Sequence, residues 1–328
     1  MAQTSRTIWM PNSPESLMKL ATRYCIKHKE VFTEQAPCGS LKLLNGLHLP
    51  LEICESLFQI CHEEHINIDD NFANIFADTQ NTKLRQLTVS DSSITDNGMR
   101  CLLAHNLQKI SITNCGNLTP RTWEFINESS DNLISISVDN AFLIFVDSED
   151  EFEGESPDVM DMNNIYEERP FMLKMPRLKN LCIEDFYPVQ GSNNFITLCN
   201  ALPPYLSHLD LSGLGRSHGP LNLKFLLNFP NLVSLILHEV DVKAALNTLC
   251  QMKKVEHLDI SQCDVHGVFE QPSEFLEQLI LNLPSLKSLD ISGTNLDADY
   301  SQLGGRLDGS QCGIPGLASR IKNPLTPA

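Results

Sequence analysis

No stretch of the 328 residues reaches the roughly 18 apolar side chains that a membrane-spanning helix needs, so no membrane span is expected. Basic charge is scarce: 24 Lys and Arg stand against 41 Asp and Glu, a formal net charge of −17. Binding nucleic acid by neutralising phosphates needs a basic face, and this composition argues against it. The segment from Met1 to Met10 has no apolar core and no secretory-signal pattern. The 11 cysteines are odd in number and lack framework spacing, so they read as reduced thiols of a cytosolic or nuclear protein. Catalytic signatures are missing too. There is no CxxC pair, no HExxH and no GxSxG elbow, and Gly213-Leu-Gly215 lacks the lysine of a phosphate loop. An enzyme, a cofactor or a metal site is therefore not expected. Cys54, Cys61, His62 and His65 are donors of the zinc type, but the two cysteines lie on an apolar stripe and read as buried thiols. Cys101 and Cys115 read as packing residues near turns.

What the chain does have is a repeat. Leu84-x-x-Leu87-x-Val89 recurs as Leu107/Ile110/Ile112, Leu133/Ile136/Val138, Leu178/Leu181/Ile183, Leu206/Leu209/Leu211, Leu232/Leu235/Leu237, Val255/Leu258/Ile260 and Leu286/Leu289/Ile291. The eight copies start 23, 26, 45, 28, 26, 23 and 31 residues apart. Two apolar positions two apart are a strand with alternate side chains inward. The residues between them, such as Ser111, Ser137, Asp210, Asp259 and Asp290, should face out. A turn must follow. Asn114 and Asn140 are placed to satisfy it with an inward side chain, and Gly213 and Gly293 to ease it. A second apolar anchor comes next, at Ile94, Leu118, Leu143, Val240, Val265 or Leu296, and then a returning helix. Thr119 and Pro120 mark the start of one such helix. Further helical stripes run through Phe195, Ile196, Leu198, Cys199 and Leu202, and through Phe225, Leu226, Leu227 and Phe229. A unit of this kind cannot bury its apolar side alone, but a stack can. The fold class is therefore α/β, a leucine-rich-repeat solenoid of about eight repeats. His208, His238 and His257 fall at outward positions in or just after the strands, a candidate histidine patch.

The 45-residue gap holds seven carboxylates between Asp147 and Asp158, a run that repels itself and reads as a disordered insertion. The Gly- and Ser-rich sequence after Gly293 shows no amphipathic cover for a terminal repeat, so the chain looks cut short of its natural end. Ahead of the repeats, Ser13 and Pro14 are placed to start a helix whose apolar face is Leu17, Leu20, Ala21, Tyr24, Cys25 and His28. A second helix is expected from Pro50 to about Glu63. The expected layout is a flexible N-terminus over 1–12, a small helical box over 13–65, a connector over 66–83, repeats over 84–300 with the acidic insertion at 147–169, and a disordered tail over 301–328.

Ser16-Leu17-x-x-x-Ala21-x-x-x-Cys25 resembles an elongin-C-binding box, with Ala21 where the motif has Cys. Leu49-Pro50-x-x-Ile53-x-x-x-Leu57 resembles a cullin-selecting box. This order of boxes ahead of leucine-rich repeats resembles the Zer-one branch of the Zyg-eleven/Zer-one family, non-catalytic substrate receptors of cullin-RING ubiquitin ligases. The resemblance implies that Ser16, Leu17, Leu20, Ala21, Tyr24 and Cys25 meet elongin C (with elongin B), and that Leu49, Pro50, Ile53 and Leu57 meet the cullin. It also implies that the repeats act as a spacer, and that a C-terminal armadillo-like domain, missing from this chain, reads protein substrates with an N-terminal glycine. The competing expectation is a leucine-rich-repeat interaction scaffold with no ubiquitin role.

Overall fold

The computed structural model describes residues 16–37, 39–139, 175–184, 202–214, 223–242, 244–263, 272–294 and the pair Ile321–Lys322. Ser13, Pro14, the acidic insertion, Asn140, Leu143, Val265, Leu296 and the stripe from Phe195 to Cys199 lie outside the described residues.

The repeat pattern produces one sheet. Its strands are β3 (Gln86–Ser90), β4 (Lys109–Thr113), β5 (Ser135–Asp139), β6 (Asn180–Glu184), β7 (His208–Asp210), β8 (Ser234–Ile236), β9 (His257–Asp259) and β10 (Ser288–Asp290). Each pairs in parallel with the next, in strict chain order. The central apolar positions form one row from Leu87 through Ile136 and Leu209 to Leu289. That row is buried, while its neighbours on each strand, such as Ser111, Asp210 and Asp259, are half-buried on the open face. The anchors Ile94, Leu118 and Val240 are buried as the pattern requires. A ninth strand, β11 (Ile321–Lys322), pairs in parallel with Leu289–Asp290, which corrects the expectation of a wholly disordered tail.

One residue beyond β3 and β4, and three residues beyond β7, β8, β9 and β10, the chain bends through a left-handed conformation. Asp91, Asn114, Glu239 and Gln262 have φ of 47°, 51°, 58° and 58°, and Gly213 and Gly293 have 73° and 69°. For a residue with a Cβ this costs about 1 kcal/mol or more. The asparagine reading needs correcting here. Asn114 is exposed rather than inward, and its Nδ2 donates to Asp91 Oδ1 of the preceding repeat at 2.7 Å. Backbone curvature, with a side-chain rung between neighbours, makes the turn.

The return segments behind the first strands are α4 (Asp96–Leu103) and α5 (Pro120–Glu128). Thr95 and Thr119 cap them, each hydroxyl accepting from a backbone N–H two residues on. The caps are tied in series. Asp70 accepts from Thr95 N (2.8 Å) and Oγ1 (2.6 Å), and Asp96 from Thr119 N (2.9 Å) and Oγ1 (2.5 Å). Later returns are shorter: a 3₁₀ turn at Leu223–Asn228, α6 (Leu246–Leu249), then the longer α7 (Pro272–Asn282).

The N-terminal region is more structured than two helices and a connector. It holds α1 (Leu17–Lys27), an antiparallel hairpin of β1 (Thr33–Gln35) and β2 (Leu41–Leu43), α2 (Leu51–Glu63) and α3 (Asp70–Asn74). Ser16, not Ser13, caps α1, its Oγ accepting from Lys19 N at 3.2 Å. The segment expected as a connector is core. Ile68, Phe72, Ile75 and Phe76 are each 0–1% exposed. Phe58 of α2 meets Phe76 and Phe72 at centroid distances of 4.8 and 5.7 Å. This aromatic plug seals the open end of the repeat stack, the cover that a terminal repeat needs. Glu55 of α2 completes the seal, accepting from Arg85 N and Gln86 N at 3.0 and 2.9 Å.

Candidate functional site

The N-terminal helix α1 turns its apolar side away from the protein. Leu17 is 82% exposed, Tyr24 56%, Leu20 48% and Met18 41%, and Ala21 is exposed beside them. At 100° per residue, Leu17, Leu20, Ala21 and Tyr24 share one face. The opposite face holds α1 in place with little apolar area. Only Thr22 and Ile26 of the helix are buried. Around them, Arg23 pairs with Glu64, and Lys19 Nζ lies 2.5 Å from Glu63 Oε2. Hydrogen bonds from Lys19 and Gln59 hold the Glu63 carboxyl below the usual range, though such exposed pairs stabilise by at most about 1 kcal/mol. Cys25, at the flank, is half-buried against the core. Met18 is the one member of this surface that the periodicity did not mark, because it lies between the two faces.

The second set of candidate residues is placed differently. Pro50 precedes the first turn of α2 and is exposed. Leu49 and Ile53 are half-buried and pack on the core, and Leu57 is 1% exposed. Leu49, Pro50 and Ile53 thus retain a surface, while Leu57 belongs to the interior beside Phe58. The structure does not join this set and the α1 face into one cavity.

The thiols of Cys54 and Cys61 are buried packing groups. Cys54 is fully buried and Cys61 1% exposed, and burial pushes the Cys61 thiol up to about 12. Burial likewise pushes Cys115 up to about 11, and its Sγ donates to Thr113 O at 3.3 Å. Cys101 is half-buried near Asn74 Oδ1 at 3.4 Å, and burial raises its pKa. His62 and His65 point to Ser90 and Asp91 rather than to a common centre.

On the open face of the sheet, the imidazoles also pair with hydroxyls. His238 Nδ1 lies 2.7 Å from Ser261 Oγ, and His257 Nδ1 2.7 Å from Ser288 Oγ. Asp210, Asp259 and Asp290 each accept from the backbone N–H and hydroxyl of the serine two residues on. A shallow cavity of about 150 Å³ lies here between Ser234, Ile236, His257, Asp259, Ser288 and Asp290. The three histidines therefore line a polar surface but do not converge on one point.

Residues 197–326 match the family described as Zer-1-like leucine-rich repeats, and residues 80–103 a general leucine-rich repeat. The protein zer-1 homolog of Drosophila melanogaster is 26% identical over 335 residues, covering 96% of this chain and 39% of that one. The human protein zer-1 homolog is 27% identical over 300 residues, covering 86% and 37%. Zyg eleven-related protein 1 of Caenorhabditis elegans is 36% identical over 111 residues, covering 33% and 12%. The chain thus spans under two-fifths of the length of these relatives. Among solved structures, a Listeria monocytogenes internalin superposes with a TM-score of 0.38 at 10% identity, over 70% of this chain and 64% of that one, too loosely to bear on function. Near full coverage by zer-1 homologues, the match of residues 197–326 and the parallel repeat sheet together make this chain a leucine-rich-repeat solenoid similar to the zer-1 homologues.

Proposed function

We propose that these residues form the adaptor-docking and spacer part of a substrate receptor for a cullin-RING ubiquitin ligase, acting without catalysis in the cytoplasm or nucleus. The observation that carries this reading is the outward apolar face of α1, with Leu17 at 82% exposure. An isolated apolar side chain on a surface is ordinary. Four on one face of a helix held in place by ion pairs and two buried residues are a docking surface. The occupant is elongin C, bound with elongin B, and Leu17, Leu20, Ala21 and Tyr24 supply the contact. Leu49, Pro50 and Ile53 supply the cullin contact, and Leu57 positions α2 from within. The repeat sheet sets the distance to protein substrates, and reading an N-terminal glycine falls to a domain other than the repeats.

The polar cavity between β8 and β10 favours a second reading, a scaffold that binds a protein ligand on its open face with no ubiquitin role. One experiment separates the two. The purified chain is mixed with purified elongin B–C and captured, alongside Leu17→Glu and a known elongin-box protein. Capture by the wild type and loss in Leu17→Glu, with unchanged circular dichroism, supports the receptor. No capture by the wild type while the box protein binds leaves the scaffold.

A further inference from the structure

Strands β6 and β7 assemble three donor side chains that neither strand holds alone. Cys182 and Asp210 are direct partners across the parallel ladder, and Glu184 follows Cys182 by two residues. All three therefore leave the same, open face of the sheet. Their sulfur and carboxylate oxygens lie within 4.8 Å of one another. Cys182 Sγ donates to Glu184 Oε1 at 2.9 Å. The Asp210 carboxylate is held in one orientation by Ser212, whose N–H and hydroxyl donate to Oδ1 at 3.0 and 2.6 Å.

The arrangement is particular to this junction. In the same two columns the described rungs elsewhere carry Thr88 and Ser90, Ser111 and Thr113, Ser137 and Asp139, Ile236 and His238, Asp259 and Ser261, and Asp290 and Ser292. Among the described residues, only here does a thiol face two carboxylates from adjacent rungs. We propose that Cys182, Glu184 and Asp210 form an open, three-ligand site for a borderline-soft divalent cation of the zinc class.

The chemistry selects that class. A thiolate is a poor ligand for Mg²⁺ and Ca²⁺, and two carboxylates are poor ligands for Cu⁺. Zinc bonds of about 2.3 Å to sulfur and 2.0–2.2 Å to oxygen set tetrahedral donors about 3.3–3.7 Å apart. Donors up to 4.8 Å apart would close by about 1 Å, and the Cys182–Glu184 pair, now at 2.9 Å, would open slightly, both adjustments that side-chain rotation supplies. On binding, the ion takes the place of the thiol proton that Glu184 now accepts, and the proton leaves to solvent. The fourth position faces away from the sheet and stays open to water or to a donor from another molecule.

The test uses the full chain titrated with Cd²⁺, reading the ultraviolet thiolate-to-cadmium absorption, with Zn²⁺ then used to displace it. The expected result is that Cys182→Ser removes one equivalent of that absorption, and that Glu184→Gln and Asp210→Asn each weaken it at least about tenfold. Cys263→Ser, which changes a buried thiol of the β9 turn, leaves the titration as in the wild type. Circular dichroism verifies each fold, and Glu184→Gln, which keeps side-chain size, carries the test if Cys182→Ser misfolds. An unchanged band in folded Cys182→Ser overturns the site, as does Glu184→Gln binding as tightly as the wild type.

Discussion

Truncating Leu17 and truncating Leu57 should have opposite consequences, although both are leucines of N-terminal helices named by the same resemblance. Leu17 is 82% exposed and Leu57 1%. Leu17→Ala removes three carbons of a side chain that is 82% exposed in the free protein, so folding stability should move by less than about 0.5 kcal/mol. If those carbons enter a pocket on elongin C, each carbon contributes about 0.8 kcal/mol, for a loss near 2 kcal/mol. At 1.4 kcal/mol per decade, Kd for elongin B–C should rise roughly 30-fold. Leu57→Ala leaves a cavity in the core and should cost about 2–5 kcal/mol of stability. Any effect it has on capture should follow the folded fraction. Urea unfolding and calorimetric titration with elongin B–C, on the same three proteins, measure both quantities. An affinity for Leu17→Ala within twofold of wild type refutes the docking assignment. A Leu17→Ala unfolding midpoint that falls as far as that of Leu57→Ala refutes the exposure on which it rests.

Three further outcomes follow from the packing. Phe72→Ala breaks the aromatic plug and should cost about 3–5 kcal/mol, with hydrogen exchange in β3 accelerating, and unchanged β3 protection would show that the plug does not seal the stack. Gly98→Ala should destabilise even though alanine is the better helix former by about 1 kcal/mol. The added Cβ would stand 2.4 Å from Asp70 Oδ1 and 2.7 Å from Ile94 Cγ1, disturbing a carboxylate that holds Thr95, and a melting midpoint above wild type would contradict this. His105 is 5% exposed with Nε2 2.8 Å from Phe76 O, and burial, ahead of its other influences, lowers its pKa. Its neutral form is the one the fold prefers. Stability should therefore be full above the unfolded value of about 6.5 and fall as pH drops below it, and His105→Gln should flatten that slope in urea melts from pH 7.5 to 5.

The repeat strands were legible because their spacing is local. Two apolar residues two apart, such as Leu209 and Leu211, fix a strand and its inward face without knowledge of its neighbours. The left-handed bends were legible only at Gly213 and Gly293. Glu239 and Gln262 adopt the same conformation with no residue-type signal, because stacking between rungs imposes it. On α1, periodicity found the apolar face but could not say which way it points, since an amphipathic helix reads the same whether it faces a core or a partner. The plug at Phe72 and Phe76 was missed because its residues are contributed by separate short segments. The cluster of Cys182, Glu184 and Asp210 was missed for a related reason, as Cys182 and Asp210 lie 28 residues apart and meet only through sheet register.

Strands β5 and β6 pair residue for residue, Ser135 with Asn180 through Asp139 with Glu184. Their motifs nonetheless start 45 residues apart, where the other neighbours start 23 to 31 apart. The sheet is thus indifferent to how much chain separates these two rungs, and closing a connection twice as long costs only about 0.6 kcal/mol more. A longer chain between the motifs of β5 and β6 should therefore leave their residue-for-residue register as it is, so this sheet takes its order from the strands and not from the lengths that join them.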